Sequence, residues 1–400
     1  MSAQLRVLEE TCRALLRMRG EASSTSLAEQ VVRRYGLLDS AERVTFFEFL
    51  LEEFSPDPAD IDAAVAAYQA EPGPTTAQAL GTATESARIP LLRAVNTADG
   101  GIQCLLTMRT DCLAASRGDE RLAPVEADLA TLMRSWFNRG FLRLDRISWE
   151  TPASVLEKLI EYEAVHEIQG WPDLQRRLEH DRRCYGFFHP SLPGEPLIFV
   201  EVALTHGLAS SIQTLLDPDV PDPTMGGDWD TAIFYSITNC QPGLTGIPLG
   251  NFLIKRVTDE LHHELDTLTT FSTLSPIPGF NRWVTETGGG LADDVADLAV
   301  GSAEPSADAR DELLAACARY LVEAKRRVQP LDSVARFHLR NGARLERINW
   351  AGDISAKGMG ESHGMLVNYV YDPTELADNH EAYVNEYRVR HSDAVSDLLG

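Results

Sequence analysis

The stretch Phe271–Phe280, FSTLSPIPGF, constrains this chain more than any other. A run rich in strand-forming residues, Thr267–Leu274, reaches Ser275 and meets Pro276 and Pro278 at once. Proline lacks an N–H and has a fixed φ, so an interior strand cannot continue past Ser275. Gly279 reads as permitting a sharp change of direction. A hydroxyl is left at a rigid strand end, where chemistry is often placed, although such a sequence also serves simply to end a strand.

A second stretch, Thr231–Val257, divides into an apolar strand (Ala232–Ile237), a loop carrying Gly243, Gly246 and Gly250, and an amphipathic helix from about Asn251. Free N–H groups and the helix dipole make such a junction suited to an anion, phosphate above all. The loop is neither a Walker P-loop nor G-x-G-x-x-G, and an ordinary strand–helix turn explains it equally well.

With 400 residues the chain has room for two or three cores. A formal net charge of −24 disfavours nucleic acid and anionic membranes as partners. An anionic ligand then needs a local positive patch, for which Lys255, Arg256, Arg282, Arg336, Arg340 and Arg344 are candidates. The six cysteines (Cys12, Cys104, Cys112, Cys184, Cys240 and Cys317) form no C-x-x-C, and no H-E-x-x-H occurs. Idle thiols in a reducing compartment and no metal site are the expectation. No run of 18 apolar residues suggests a membrane span. The N-terminus has no apolar signal core and the C-terminus no peroxisomal tripeptide, so a cytoplasmic protein is expected.

Residues 1–142 read as a helical domain for interaction or oligomerisation. Leu5, Leu8, Cys12, Leu15 and Leu16 recur at helical spacing, as do Val125, Leu129, Leu132 and Trp136. Ser26–Glu29 and Asp39–Glu42 read as capping boxes, each opening a helix. Asp57-Pro58 opens another, with Ile61, Val65 and Tyr68 on one face. Residues 143–400 mix strands and helices, an α/β or α+β pattern. A helix follows Thr151-Pro152, with Val155, Leu159 and Ile160 inward. Strands are expected at Cys184–Phe188, Leu197–Leu204, Ala232–Ile237, Leu268–Leu274, Val334–Leu339, Leu345–Trp350 and Met365–Tyr371. A helix is expected over Asp311–Val328, and loops over 216–230 and 285–308.

Four more stretches complete a pattern: Arg182–Pro190 (RRCYGFFHP), Pro193–Thr205 (PGEPLIFVEVALT), Ala335–Ala343 (ARFHLRNGA) and Arg347–Trp350 (RINW). Together with SPIPGF and GLTGIPLG, they make the chain resemble the malonyl-CoA decarboxylase family, from about Trp136 to Tyr371 and more weakly before that. The resemblance implies an N-terminal all-helical domain followed by an acetyltransferase-like (GNAT-type) mixed sheet flanked by helices. It implies malonyl-CoA as substrate, acetyl-CoA and CO₂ as products, and a homo-oligomer, dimer or tetramer.

Decarboxylation leaves an enolate of acetyl-CoA. The thioester carbonyl itself accepts the electrons, so no metal or organic cofactor is expected. Oriented donors stabilise the developing charge, and a His near its normal pKa supplies the proton. By resemblance the catalytic residues are Ser275, His338 and Tyr371, with His338 in a strand-like run. The Ser binds the carboxylate or assists proton transfer, because decarboxylation needs no nucleophile. The CoA loop is Thr245, Gly246, Ile247, Pro248, Leu249, Gly250 and Asn251. Thr245 and Asn251 depart from residues common in the family, and Pro248 stands where some members carry a glutamate. Two alternatives share the motifs: a CoA-dependent acyltransferase on the same fold and a non-catalytic CoA-ester-binding protein.

Overall fold

Among the residues that the computed structural model describes (2–18, 20–138, 140–217, 227–247, 250–288, 291 and 306–400, with backbone alone for 250–252), the first 142 hold eight α-helices. These are α1 (Ala3–Arg17), α2 (Glu21–Tyr35), α3 (Ser40–Glu53), α4 (Pro58–Ala70), α5 (Pro74–Thr84), α6 (Arg88–Val95), α7 (Gly101–Ser116) and α8 (Ala123–Trp136). Local chemistry sets several boundaries. Asp39 and Glu42 form a reciprocal capping box that opens α3. Pro58 and Pro74 stand at the first helical positions of α4 and α5, where a missing N–H costs nothing. The expected box at Ser26–Glu29 opens no helix, because these residues lie inside α2. Their hydroxyl and carboxylate find an already formed turn and have no free N–H to cap.

The helical core is mainly apolar. Leu5, Leu8 and Cys12 of α1, Phe46 and Phe47 of α3, and Leu105 of α7 are each essentially inaccessible. Each large side chain buried this way contributes roughly 1.5–3 kcal/mol. The hairpin α4–α5 is different: neither helix buries any residue fully, and the expected stripe of Ile61, Val65 and Tyr68 leaves Tyr68 exposed. This compact unit comprises Met1–Leu142 together with His189–Pro193 and Gln241–Pro248.

The second unit, Arg143–Phe188, Gly194–Cys240 and Leu249–Gly400, is built on an eight-stranded mixed sheet. Its strands are β1 (Arg143–Ile147), β2 (Arg182–Phe188), β3 (Pro196–Thr205), β4 (Thr231–Asn239), β5 (Thr270–Thr273), β6 (Ser275–Pro276), β9 (Arg344–Asn349) and β10 (Leu366–Val370), while β7 (Lys325–Arg326) and β8 (Gln329–Pro330) form a separate small hairpin. Strands β1 to β4 pair antiparallel in sequence order. Strand β5 then pairs parallel with β4, which requires a crossover, supplied by the glycine loop and the helix Gly250–Glu264. Strands β5 and β6 follow one another along β10 in one continuous register (Ser272 with Val370, Ser275 with Val367), and β9 pairs β10 over the same residues.

Pairing between β4 and β5 ends at Phe234–Thr273, with a last bond from Leu274 N–H to the Phe234 carbonyl at 3.0 Å. Strand β4 runs on to Asn239 with β3 as its partner. A parallel pair therefore ends beside Ser275, where α/β sheets place ligands.

Three expectations need correction. Val334–Leu339 is not a strand: Ser333–Arg340 is a helix, capped by Asp332, whose carboxylate accepts from Ala335 N–H at 2.8 Å. Ala335, His338 and Leu339 form its buried side, at i, i+3 and i+4, and Gly342 at φ 84° ends it. The helix expected over Asp311–Val328 spans Ala307–Val322 and gives way to the β7–β8 hairpin. Of the expected loop 285–308, residues 285–287 close the helix Phe280–Thr287 and 307–308 open the next; 289–290 and 292–305 lie outside the described residues, as do 218–226 of the loop 216–230. Two C-terminal helices, Leu376–Glu386 and Asp393–Leu399, were not anticipated. No helix among the described residues is long and apolar enough to cross a membrane.

Candidate active site

Ser275, His338 and Tyr371 converge, although they come from three different elements. Ser275 is the first residue of β6, His338 sits on the helix Ser333–Arg340, and Tyr371 follows β10. His338 Nε2 lies 3.0 Å from Ser275 Oγ, and His338 Nδ1 lies 2.7 Å from the Tyr371 hydroxyl. All three side chains are buried.

The neighbours fix the direction of these bonds. Ser275 Oγ donates to Thr273 Oγ1 at 2.9 Å, so its lone pairs face the imidazole. His338 Nε2 then carries the hydrogen and Nδ1 accepts from the Tyr371 O–H. Thr273 Oγ1 also accepts from Tyr369 N–H at 3.2 Å, which ties the chain of hydroxyls to β10. The His338 ring stacks on Tyr369 with centroids 4.6 Å apart. Asn368, fully buried, donates to the Thr273 and Ala209 carbonyls and ties β10 to the end of β5, two residues before Ser275.

Burial pushes the His338 pKa down to about 3. The expected imidazole near its ordinary pKa is therefore replaced by a ring that is neutral at pH 7, because burial strips it of water and no carboxylate among the described residues offsets the loss. Burial also raises the Tyr371 phenol well above its usual range. The site is thus a chain of neutral donors and acceptors.

The glycine after the prolines has a different purpose from the one expected. Gly279 has φ −109°, which any residue adopts. A Cβ there would lie 2.2 Å from the Tyr320 hydroxyl. That hydroxyl donates to Asp332, the cap of the histidine helix, at 3.3 Å. The glycine thus admits the support for His338.

In the glycine loop, Pro242–Leu244 make a short 3₁₀ turn, with Thr245 N–H bonded to the Pro242 carbonyl and Ile247 N–H to that of Leu244. Gly246 takes φ 75°, a conformation suited to glycine. Pro248 and Leu249 lie outside the described residues, and Gly250 and Asn251 are described only as backbone opening the helix Gly250–Glu264. Among the basic candidates, Arg344 pairs with Glu346 and Glu375, and Arg336 donates to the Pro330 and Leu331 carbonyls. All six cysteines are free and buried. Among the described residues no cluster of His, Cys, Asp or Glu is arranged to hold a metal ion.

Sequence reading missed Thr273, Tyr369, Asn368 and Asp332. Thr273 and Tyr369 were findable by strand alternation, since each lies two residues from an expected site residue and so shares its face.

The chain matches the family model for the malonyl-CoA decarboxylase C-terminal domain over residues 140–400 and that for the N-terminal domain over 54–137. It is 38% identical to the mitochondrial malonyl-CoA decarboxylase of Anser anser anser over 336 residues, which is 74% of this chain and 66% of that protein. It is 36% identical to that of Rattus norvegicus over 345 residues, 77% of this chain and 70% of the relative. Among solved structures, malonyl-CoA decarboxylase from Rhodopseudomonas palustris superposes with a TM-score of 0.90 at 42% identity, over 99% of this chain and 100% of that one. The enzyme from Agrobacterium vitis gives 0.93 at 44%, over 98% and 99%.

Proposed function

The chain belongs to the malonyl-CoA decarboxylase family, which makes it a carboxy-lyase, and we propose that Ser275, His338 and Tyr371 carry the conversion of malonyl-CoA to acetyl-CoA and CO₂. The observation that supports these roles most is the hydrogen-bonded chain from Tyr371 through His338 to Ser275. Cleaving the carboxylate–Cα bond sends its electron pair through Cα onto the thioester oxygen and releases CO₂. The resulting enolate must then gain one proton at carbon.

A neutral imidazole suits a substrate that brings its own negative charge. The malonyl carboxylate, entering a site stripped of water, favours the imidazolium and draws one proton onto His338. When CO₂ leaves, the charge passes to the enolate. The Ser275 O–H bond breaks as the Cα–H bond forms, and the proton on Nε2 replaces the one Ser275 gave. The imidazole ends neutral, so one solvent proton is consumed per turnover. Tyr371, bonded to Nδ1, orients the ring: its hydroxyl donates to Nδ1 in the resting ring and turns to accept once Nδ1 carries the added proton. That proton exchanges with solvent, which restores the Nε2–H form before the next turnover.

The same proposal takes Thr245–Asn251 as the CoA loop, with a helix start to receive phosphate. It takes residues 1–142 as an oligomerisation domain and 143–400 as the catalytic domain of a homo-oligomer, dimer or tetramer. The α4–α5 hairpin, which buries none of its own residues fully, favours such a use. Six free thiols suit a reducing, cytoplasmic setting.

Incubation of the purified protein with malonyl-CoA alone tests the reading. Acetyl-CoA and CO₂ are expected in equal amounts. Turnover only when an acyl acceptor is added would indicate an acyltransferase instead.

A further inference from the structure

The glycine turn is gripped by a buried cation that none of the chemistry above uses. Arg109, on α7, is 3% exposed. Its Nη1 donates to the Gly243 carbonyl at 2.5 Å and its Nη2 to the Thr245 carbonyl at 2.8 Å. The Nε and Nη2 groups also bond Glu126 of α8, at 3.1 and 2.8 Å, which neutralises the buried charge. The turn and α7 are in close contact as well. A Cβ on Gly243 would lie 2.4 Å from the Leu106 carbonyl oxygen, so only glycine lets the turn come this near.

We propose that Arg109 is a positioning residue for CoA binding: its guanidinium fork, braced by Glu126, sets the shape of the turn Pro242–Thr245 that leads into Gly246. This rests on the reading of Thr245–Asn251 as the CoA loop. Planar, bidentate capture of two carbonyls two residues apart fixes the turn in a way that a single ammonium cannot. Holding the turn in its binding shape removes an ordering cost that CoA would otherwise meet on binding. The effect belongs to the nucleotide end of the substrate, because Arg109 makes no bond to Ser275, His338 or Tyr371.

The test compares malonyl-CoA with malonyl-pantetheine, which carries the same thioester and lacks the nucleotide diphosphate. In Arg109→Met, KM for malonyl-CoA should rise about tenfold or more, with kcat changed by less than about threefold. The kcat/KM for malonyl-pantetheine should stay within about threefold of wild type. Arg109→Lys should fall between the two. Gly243→Ala, which displaces the turn while leaving Arg109 in place, should reproduce the selective rise and serves as the test if Arg109→Met fails to fold. Gly246→Asp, which adds bulk and negative charge to the loop itself, separates the two ideas. A rise in KM for malonyl-CoA in Gly246→Asp with none in folded Arg109→Met or Gly243→Ala overturns the role of Arg109 and leaves the loop. No rise in any of the three removes the loop assignment and this inference together. Equal losses on both substrates in the Arg109 variants also overturn it, since they indicate general structural damage.

Discussion

His338 is held neutral by burial, and its neutrality has a consequence for stability that is separate from catalysis. Its folded pKa, about 3, lies below the ordinary value of 6.5. The unfolded chain therefore binds a proton that the native ring refuses. This contribution to stability is fully present above about pH 6.5 and is lost as pH falls toward the folded value. Between pH 6 and 4 the wild-type unfolding free energy should fall with an extra slope of about 1.4 kcal/mol per pH unit relative to His338→Asn. Denaturant titrations of both proteins across that range measure it. Identical slopes would mean that the ring already carries its proton in the native state. The family resemblance pointed to His338 and Ser275, whose motifs carry it. It did not show the charge state, which depends on the burial of a ring stacked on Tyr369.

At the scale of the element, the histidine is delivered by a short helix with its own supports. Asp332 caps it, and Tyr320 holds Asp332 through space that Gly279 leaves open. Asp332→Ala should cost about 1 kcal/mol of stability, typical of a lost cap, and should lower kcat with little change in KM. Asp332→Asn, still able to accept from Ala335 N–H, should restore most of both. Thermal melts and steady-state kinetics on the pair check this, and a lowered KM in Asp332→Ala would point to another role. The strand expected here was a misreading of period. Val334 and Phe337 favour strands by propensity, but the buried positions repeat at three and four, and the Asp cap was visible in the sequence. Long elements with one clear pattern, such as β3, β4 and the helix after the glycine loop, were legible. The grip of Arg109 was not, because an arginine and a carbonyl more than a hundred residues apart leave no local signal.

At the scale of the molecule, the sheet places Ser275, for which we propose the proton-donating role, where β4 and β5 cease to pair. A parallel pair needs a crossover, and the strand, glycine loop and helix read from the sequence supply it, but that β4 and β5 pair parallel was not legible there. The joining of Gln241–Pro248 to the helical unit was hidden, because nothing local distinguishes a turn that packs on its own domain from one that packs elsewhere. The central claim is that one hydrogen-bonded unit, Ser275 with His338, protonates the enolate. The most direct measurement is kcat for Ser275→Ala, His338→Asn and the double variant, each confirmed folded. Each single change should lower kcat by about 10²–10⁴-fold, and the double variant should be scarcely worse than the poorer single one, as for groups that act together. Near wild-type kcat in His338→Asn, or losses that multiply in the double variant, would contradict the claim.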